Sequence, residues 1–511
     1  MDLRNICIFL YLAACLAAWS PRAFSRLVAV RIVYTMDLRG QLLDLRDSET
    51  PGGALRCAGM IRKLEQELAN SIVVSAGGDF FGSPESDILE GAPLQKVLNA
   101  CSCDIYLPTG RDFSRGVGKL EELCFGINAV KVAANLKPLG DSRSMPFLEP
   151  FALLEVDGIR IAFVGLADAC TPEYIHPSRL RGVEWRSSIE SLAETIPRLR
   201  AERPDILVLL ADRGLTDRSG NRCSLEKLAS DFPSIDLIIA RSARDDRSAA
   251  MIGNSLFVTS SSLGRNVGYV DIEYDTVADR IVARRSDLID VDRSVQPSAE
   301  LSESLREDLE LAEKRLRRVV GESARNFPSD PQAGEIGAGR ILLNAVQDAV
   351  DADVVLLPKS VHAVWQRQQT ERDLWRIVPS NDRIATLRLT INQIEEILRE
   401  NQEFADTRHQ LELAGLRRST DGGAEDGQLG ISLRHLDGGV PHPRRRFSVA
   451  VSTYLLSSGG GRYERIRELS WEPRSALSIS DILIRDALRE YLNSHSPLDD
   501  DLFRDLLENG S

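Results

Sequence analysis

The amino-acid sequence predicts an α/β protein of two domains: a layered domain of sheets and helices, joined by a long helix to a second α+β domain. Three observations carry this. With 511 residues the chain exceeds what one hydrophobic core usually serves. Through its first half, apolar β-branched runs alternate with helix-like segments, and the C-terminal tips of those runs repeatedly carry Asp or Arg. Near the middle, 298–320 sets Leu301, Leu305, Leu309 and Leu316 at helical spacing, as an amphipathic connector requires.

Before the fold begins, residues 1–25 read as a secretory leader. Arg4 precedes an apolar run from Ile6 to Trp19, then Ser20-Pro21 and a small-x-small Ala23-Phe24-Ser25 cleavage site. The run is short for a transmembrane helix. Leu12-Ala13-Ala14-Cys15 also resembles a bacterial lipoprotein box, which would lipidate Cys15 instead. Either way the protein is expected to be exported, periplasmic or extracellular. Six cysteines follow the leader, all in the first half, and export permits disulfides among them. At 43% hydrophobic and 27% charged the composition is globular, and the net charge of −13 argues against a nucleic-acid or anionic-membrane binder.

The β-branched run 27–34 predicts the first strand, ending in Thr35-Met36-Asp37-Leu38-Arg39-Gly40. Gly52-Gly53 turn the chain into a helix through about residue 69. The run Ile72-Val73-Val74-Ser75 is a buried strand whose turn, Gly77-Gly78-Asp79-Phe80-Phe81-Gly82-Ser83, presents one carboxylate at the strand's C-terminal end. In α/β proteins that end of a sheet is where ligands bind. A helix at 93–100 and strands at 104–107 and 129–136 follow. Asp157-Gly158 joins 151–156 and 159–166 as a hairpin. A helix at 187–200 leads to a strand at 205–210, whose tip is Ala211-Asp212-Arg213-Gly214. Another strand, 235–239, ends in Ala240-Arg241-Ser242-Ala243, and strands at 255–259 and 267–274 close the domain. In the second domain a helix at 338–350 precedes a strand at 353–357. The Gly-, Asp- and Arg-rich 420–446 reads as a long surface loop, and a strand at 447–451 leads into Ser452-Thr453-Tyr454 and Ser457-Ser458-Gly459-Gly460.

Taken together these tips resemble the secreted 5′-nucleotidase family. Thr35-Met36-Asp37-Leu38-Arg39-Gly40 is similar to its Thr-Asn-Asp-x-His-Gly, Gly52-Gly53-Ala54-Leu55-Arg56 to its Gly-Gly-x-x-Arg, Gly78-Asp79-Phe80-Phe81-Gly82-Ser83 to its Gly-Asp-x-x-x-Gly-Ser, and Ala134-Asn135-Leu136 to its Ala-Asn-Leu. The resemblance implies a calcineurin-like metallophosphoesterase domain at 26–292, a layered β-sandwich flanked by helices. A connector would occupy 293–325 and a 5′-nucleotidase C-terminal domain 326–511. It also implies a metal site that would use Asp37, Asp79 and Asp212, with Asp112 at the catalytic His position. In the second domain it implies substrate contacts from Asn381, Tyr454, Gly459 and Gly460.

The departures are specific. Where the family has Asp-x-His the chain has Asp37-Leu38-Arg39; Gly-Asn-His-Glu becomes Gly110-Arg111-Asp112-Phe113 with one residue deleted; Ser-His-x-Gly becomes Ala211-Asp212-Arg213-Gly214; and Gly-His-x-His becomes Ala240-Arg241-Ser242-Ala243. Of six histidines only His176 lies in the first domain, too few for an imidazole-built two-metal site. Two readings follow. Either the aspartates form an all-oxygen site for Mg²⁺, Mn²⁺ or Ca²⁺, or the guanidinium groups of Arg39, Arg111 and Arg241 occupy the metals' space. The second is favoured, because like charges 4 Å apart cost about 4 kcal/mol at an effective dielectric of 20. No cofactor is then expected, and Asp79 is expected inside a buried ion-pair cluster. The sequence thus points to a catalytically impaired family member with a phosphate or nucleotide ligand, the alternative being an active phosphoesterase with an oxygen-ligand site. It names no protein partner.

Overall fold

The computed structural model describes residues 26–45, 50–140, 145–173, 175–212, 215, 223–241, 249–326, 337–359, 366–404, 407, 409–419, 431–459 and 461–499. The leader with Cys15, together with Arg213, Ser242, Ala243 and Gly460, lies outside them.

Strand Leu27–Thr35 organises the first sheet. It pairs antiparallel with Asn266–Asp275 and parallel with Ser71–Ser75, in a register that sets Thr35 beside Ser75. The full order is Arg280–Asp290, Asn266–Asp275, Leu27–Thr35, Ser71–Ser75, Ile105–Tyr106, Val130–Val132 and Leu148–Glu149. A second sheet runs Ala250–Ile252, Ser255–Val258, Leu237–Ala240, Ile206–Ala211, Ile159–Leu166 and Phe151–Val156. The Phe151–Val156 and Ile159–Leu166 strands form the expected hairpin.

Alternation assigns the faces. Ile206, Val208 and Leu210 face the core shared with Val30 and Ile32. Leu207 and Leu209 face outward and are covered by Leu192, Ile196 and Leu199 of helix Ser188–Ala201. Helices Ala54–Glu67 and Ala92–Ala100 cover the outside of the first sheet. The result is the layered sandwich flanked by helices that the sequence predicts.

Several local expectations differ. The long strand Arg280–Asp290 was not legible, because as an edge strand it buries no continuous face and its sequence is rich in charge. The connector is two helices, Ala299–Ser304 and Arg306–Leu316, broken at Leu305. Segment Val319–Glu322, expected to end that helix, is a strand paired with Gln368–Thr370.

In the second domain a five-stranded sheet, ordered Leu411–Ala414, Val354–Pro358, Arg446–Ser452, Arg383–Thr390 and Ser478–Leu483, carries helices Ala338–Val350 and Ile484–Ser494 on one face. Helices Ile391–Glu400 and Glu464–Trp471 cover the other. Part of the expected 420–446 loop is strand Ser432–Arg434, paired with Arg417–Ser419. Cys57, Cys101, Cys103 and Cys124 are buried thiols and form no disulfide. Among the described residues no helix is long and apolar enough to cross a membrane.

Candidate functional site

Parallel pairing in both sheets brings their strand tips to one end of the sandwich. The two tips nearest the centre are zipped together by backbone bonds: Ala76 N donates to Thr35 O, Asp37 N to Gly77 O at 2.7 Å, Arg39 N to Gly78 O and Gly40 N to Asp79 O. The zipper demands unusual backbone. Asp37 and Arg39 hold left-handed φ of 54° and 53°, tolerated by Asp but costly for Arg. Gly77 must be glycine, since a Cβ there would sit 1.9 Å from Leu107 O.

Two sets of buried carboxylates result. In the first, Asp37 Oδ2 accepts from Arg39 Nε at 2.9 Å and Nη2 at 2.6 Å. The Arg241 guanidinium then spans two strand tips, Nη1 lying 2.7 Å from Asp37 Oδ2 and Nη2 2.6 Å from Asp212 Oδ1. Asp212 also accepts from the Thr109 hydroxyl at 3.1 Å, and that hydroxyl accepts from Asp168 N at 2.7 Å. Burial pushes the Asp37 carboxyl up, but the charges of Arg241, Arg39 and Arg111 together outweigh it and hold the group below the ordinary carboxylate range.

In the second set no arginine among the described residues takes part. Asp112 is fully buried. Its Oδ1 accepts from the amides of Asp79 (2.9 Å) and Phe80 (3.1 Å), and its Oδ2 from the amides of Gly78 (2.9 Å) and Thr109 (3.1 Å) and the Tyr106 hydroxyl (2.8 Å). Asp79, also fully buried, accepts from Leu38 N at 3.1 Å and from the Ser75 hydroxyl. Burial, then the neighbouring Asp112 charge, pushes Asp79 up to about 7, against the pull of Ser75 and Leu38. Burial pushes Asp112 up as well, against its amide donors. Of the pair Asp112 is the ionised member, because five donors occupy its lone pairs, and Asp79 is the one that takes a proton.

This corrects two expectations. Asp79 is not in the ion-pair cluster, and Asp112 is not poised at a reacting group: its carboxylate is a cap that ties the Gly78–Phe80 turn to Thr109. Arg111 is exposed and reaches Asp37 through longer-range charge. Asn135 clips the neighbouring tip, its amide donating to Ala167 O at 2.8 Å and accepting from Ala167 N at 2.9 Å.

The candidate substrate residues of the second domain are not part of this cluster of contacts. Asn381 donates from Nδ2 to Asp87 of the first domain at 2.9 Å and accepts from Arg485 at 3.2 Å. The Tyr454 hydroxyl donates to Gly459 O at 2.9 Å, and a Cβ on Gly459 (φ 54°) would lie 2.5 Å from the Tyr463 ring, so this turn is packed on its own aromatic residues. Ser75, Tyr106, Thr109 and Asp168 were missed. Asp168 had a visible signal, an acidic residue just past strand Ile159–Leu166, like Asp212 past its own strand.

Beside Arg241 and Asp212 opens a cavity of about 960 Å³, walled by Leu215, Leu225, Met251, Ile252 and Phe257. Among the described residues no group of three or more His, Cys, Asp or Glu is arranged to hold a metal.

Residues 319–468 match the family model described as "5'-nucleotidase, C-terminal domain". The chain is 23% identical over 476 residues to "Endonuclease YhcR" of Bacillus subtilis, an alignment covering 87% of this chain and 38% of that protein. It therefore spans well under half the length of that relative. It is 20% identical over 486 residues to "Protein UshA" of Yersinia enterocolitica, covering 86% of each. The crystal structure of a 5′-nucleotidase precursor from Thermus thermophilus superposes with a TM-score of 0.68 at 15% identity, covering 92% of this chain and 97% of that one. That likeness shows the fold.

Proposed function

Taking as premise that the chain belongs to the 5′-nucleotidase family, we propose that it is an exported member whose phosphoesterase centre no longer hydrolyses, the arginines having taken the space of the metals. The observation that carries this is the Arg241 guanidinium bridging Asp37 and Asp212. Those carboxylates are the ones a metal would need, and a cation already neutralises both. Asp112 has both oxygens filled by five donors from the chain, and Asp79 has one donor on each oxygen, so Asp112 in particular has little to offer an ion. The residues present therefore fit a dinuclear centre poorly.

What remains is recognition. Arg39 is part-exposed and Arg111 exposed. The cavity beside Arg241 is within the range of small-molecule sites. Guanidinium groups pair well with phosphate oxygens, so a phosphate or nucleotide ligand is the expected class. One observation favours the alternative, an oxygen-ligand cation site: Asp37 Oδ1 is buried without a hydrogen-bond partner.

A single preparation tests both. Metal content by elemental analysis, nucleotide and phosphoester hydrolysis with added Mg²⁺ or Mn²⁺, and phosphate titration by calorimetry are measured together. The expected outcome is no metal-dependent turnover, with binding heat for phosphate or nucleotide. Turnover that requires metal and disappears in Asp37→Asn would overturn the reading.

A further inference from the structure

The turn that carries Asp79 continues, through Gly82 and Ser83, into the short helix Pro84–Ile88. On that helix Asp87 is buried, and each of its oxygens is engaged. Oδ2 accepts from Gly82 N at 3.1 Å; Oδ1 accepts from Arg115 at 3.2 Å and from Asn381 Nδ2 of the second domain at 2.9 Å. Asn381 is held from its own side as well: Arg485 Nη1 donates to its Oδ1 at 3.2 Å, and Arg179 of the first domain donates to its backbone oxygen. Arg485 is itself buried, spending its other donors on Val378 O and Ser380 O above the Trp375 ring. A second contact lies beside the first. Arg372 reaches Glu85 on the Pro84–Ile88 helix at 2.8 Å and Glu313 on the connector at 2.5 Å.

We propose that Asp87, Asn381 and Arg372 form a latch that holds the two domains in one orientation and anchors that orientation in the Gly78–Ser83 turn. The physical case is the combination of charge and burial. Asp87 meets Asn381 where water is largely excluded, with Arg115 of its own domain on the same oxygen, so opening takes one donor from a buried carboxylate. Arg372 links three elements with one guanidinium, a geometry a lysine could not reproduce. The inference goes beyond the proposed function, because it holds whether or not the strand-tip site binds or hydrolyses anything.

Small-angle scattering and calorimetry on the full chain test it, comparing wild type with the Asn381→Ala/Arg372→Ala double variant. Wild type is expected to scatter as one fixed arrangement and to unfold in a single transition. The double variant, with far-UV dichroism unchanged, is expected to show a larger radius of gyration and two separate transitions. Identical scattering and a single transition in both proteins would overturn the latch. Should the double variant fail to fold, hydrogen exchange on wild type decides: segments 82–88 and 379–382 should both exchange slowly, and exchange at unprotected loop rates in either defeats the proposal.

Discussion

The carboxylate pairs Asp37/Asp212 and Asp79/Asp112 sit at neighbouring strand tips and are similarly buried, yet they are stabilised by opposite means. The first pair is neutralised by arginine side chains that cross between strands. The second is satisfied by backbone amides and two hydroxyls, and burial beside Asp112 pushes Asp79 toward its protonated form. Burial raises the cost of ionisation at Asp37, Asp79 and Asp112; what differs is whether a cation reaches them. Arg39 from its own strand tip and Arg241 from the facing sheet reach Asp37, whereas Asp112 lies under the Gly78–Phe80 turn, where four main-chain N–H groups and the Tyr106 hydroxyl meet it. A buried acidic cluster therefore says little about chemistry until its donors are known.

The strongest way to break the contrast is Asp112→Ala, which leaves four amides and the Tyr106 hydroxyl without an acceptor. Each orphaned donor costs roughly 1–3 kcal/mol before relaxation, so a loss of about 4 kcal/mol or more is expected in urea unfolding. Asp112→Asn, which keeps an accepting oxygen, should lose distinctly less. Equal losses in the two variants would mean the amide cap is not what stabilises the turn.

Arg241→Ala attacks the other pair, stranding Asp37 and Asp212. Breaking a buried ion pair from one side costs about 3–5 kcal/mol, and the lower end, about 3 kcal/mol, is expected because the Arg241 side chain is 19% exposed. The loss should shrink at acid pH, where the stranded Asp37 carboxylate protonates. A pH-independent loss would point to packing instead of charge.

The smallest effect sharpens the comparison by its sign. Asp79 has a folded pKa of about 7, above its unfolded value. Between about pH 4 and 7 the native state binds a proton that the unfolded chain does not, so this group's contribution falls as pH rises through that window. Asp37, held low, contributes in the opposite sense: its stabilisation is present above its unfolded pKa and is lost as pH falls through the folded value. Asp79→Asn should remove a falling component on the order of 2 kcal/mol between pH 5 and 8, less than the full shift because relaxation discounts it. Parallel pH–stability curves for wild type and variant would contradict the assignment of the proton to Asp79.

Much of the scaffold was legible because it rests on local periodicity. The 72–75 run, the Asp157-Gly158 hairpin and the 338–350 helix all appear where β-branched runs, turn residues and helical spacing put them. Strand Arg280–Asp290 was hidden because an edge strand needs no apolar face. Within the site, Arg241 and Asp37 were visible as substitutions at strand tips. Thr109, Ser75 and Tyr106 were not, since a hydroxyl has no sequence signature until the acceptor it meets is known. Asn381 could be read as a candidate contact but not as a junction residue, because its partner Asp87 is 294 positions away.

The sequence by itself determined the alternation of strands and helices, the convergence of acidic and basic tips, and the shortage of imidazole for a two-metal centre. Those follow from composition and from the periods of 2.0 and 3.6 that the backbone imposes. Only the tertiary structure decided which carboxylate meets a guanidinium and which meets an amide. That choice depends on distances of a few ångströms between segments far apart in the chain. Arg241 reaches Asp37 and Asp212 because two sheets face each other at their tips, and among the described residues no arginine bonds to Asp112, over which the glycine turn closes.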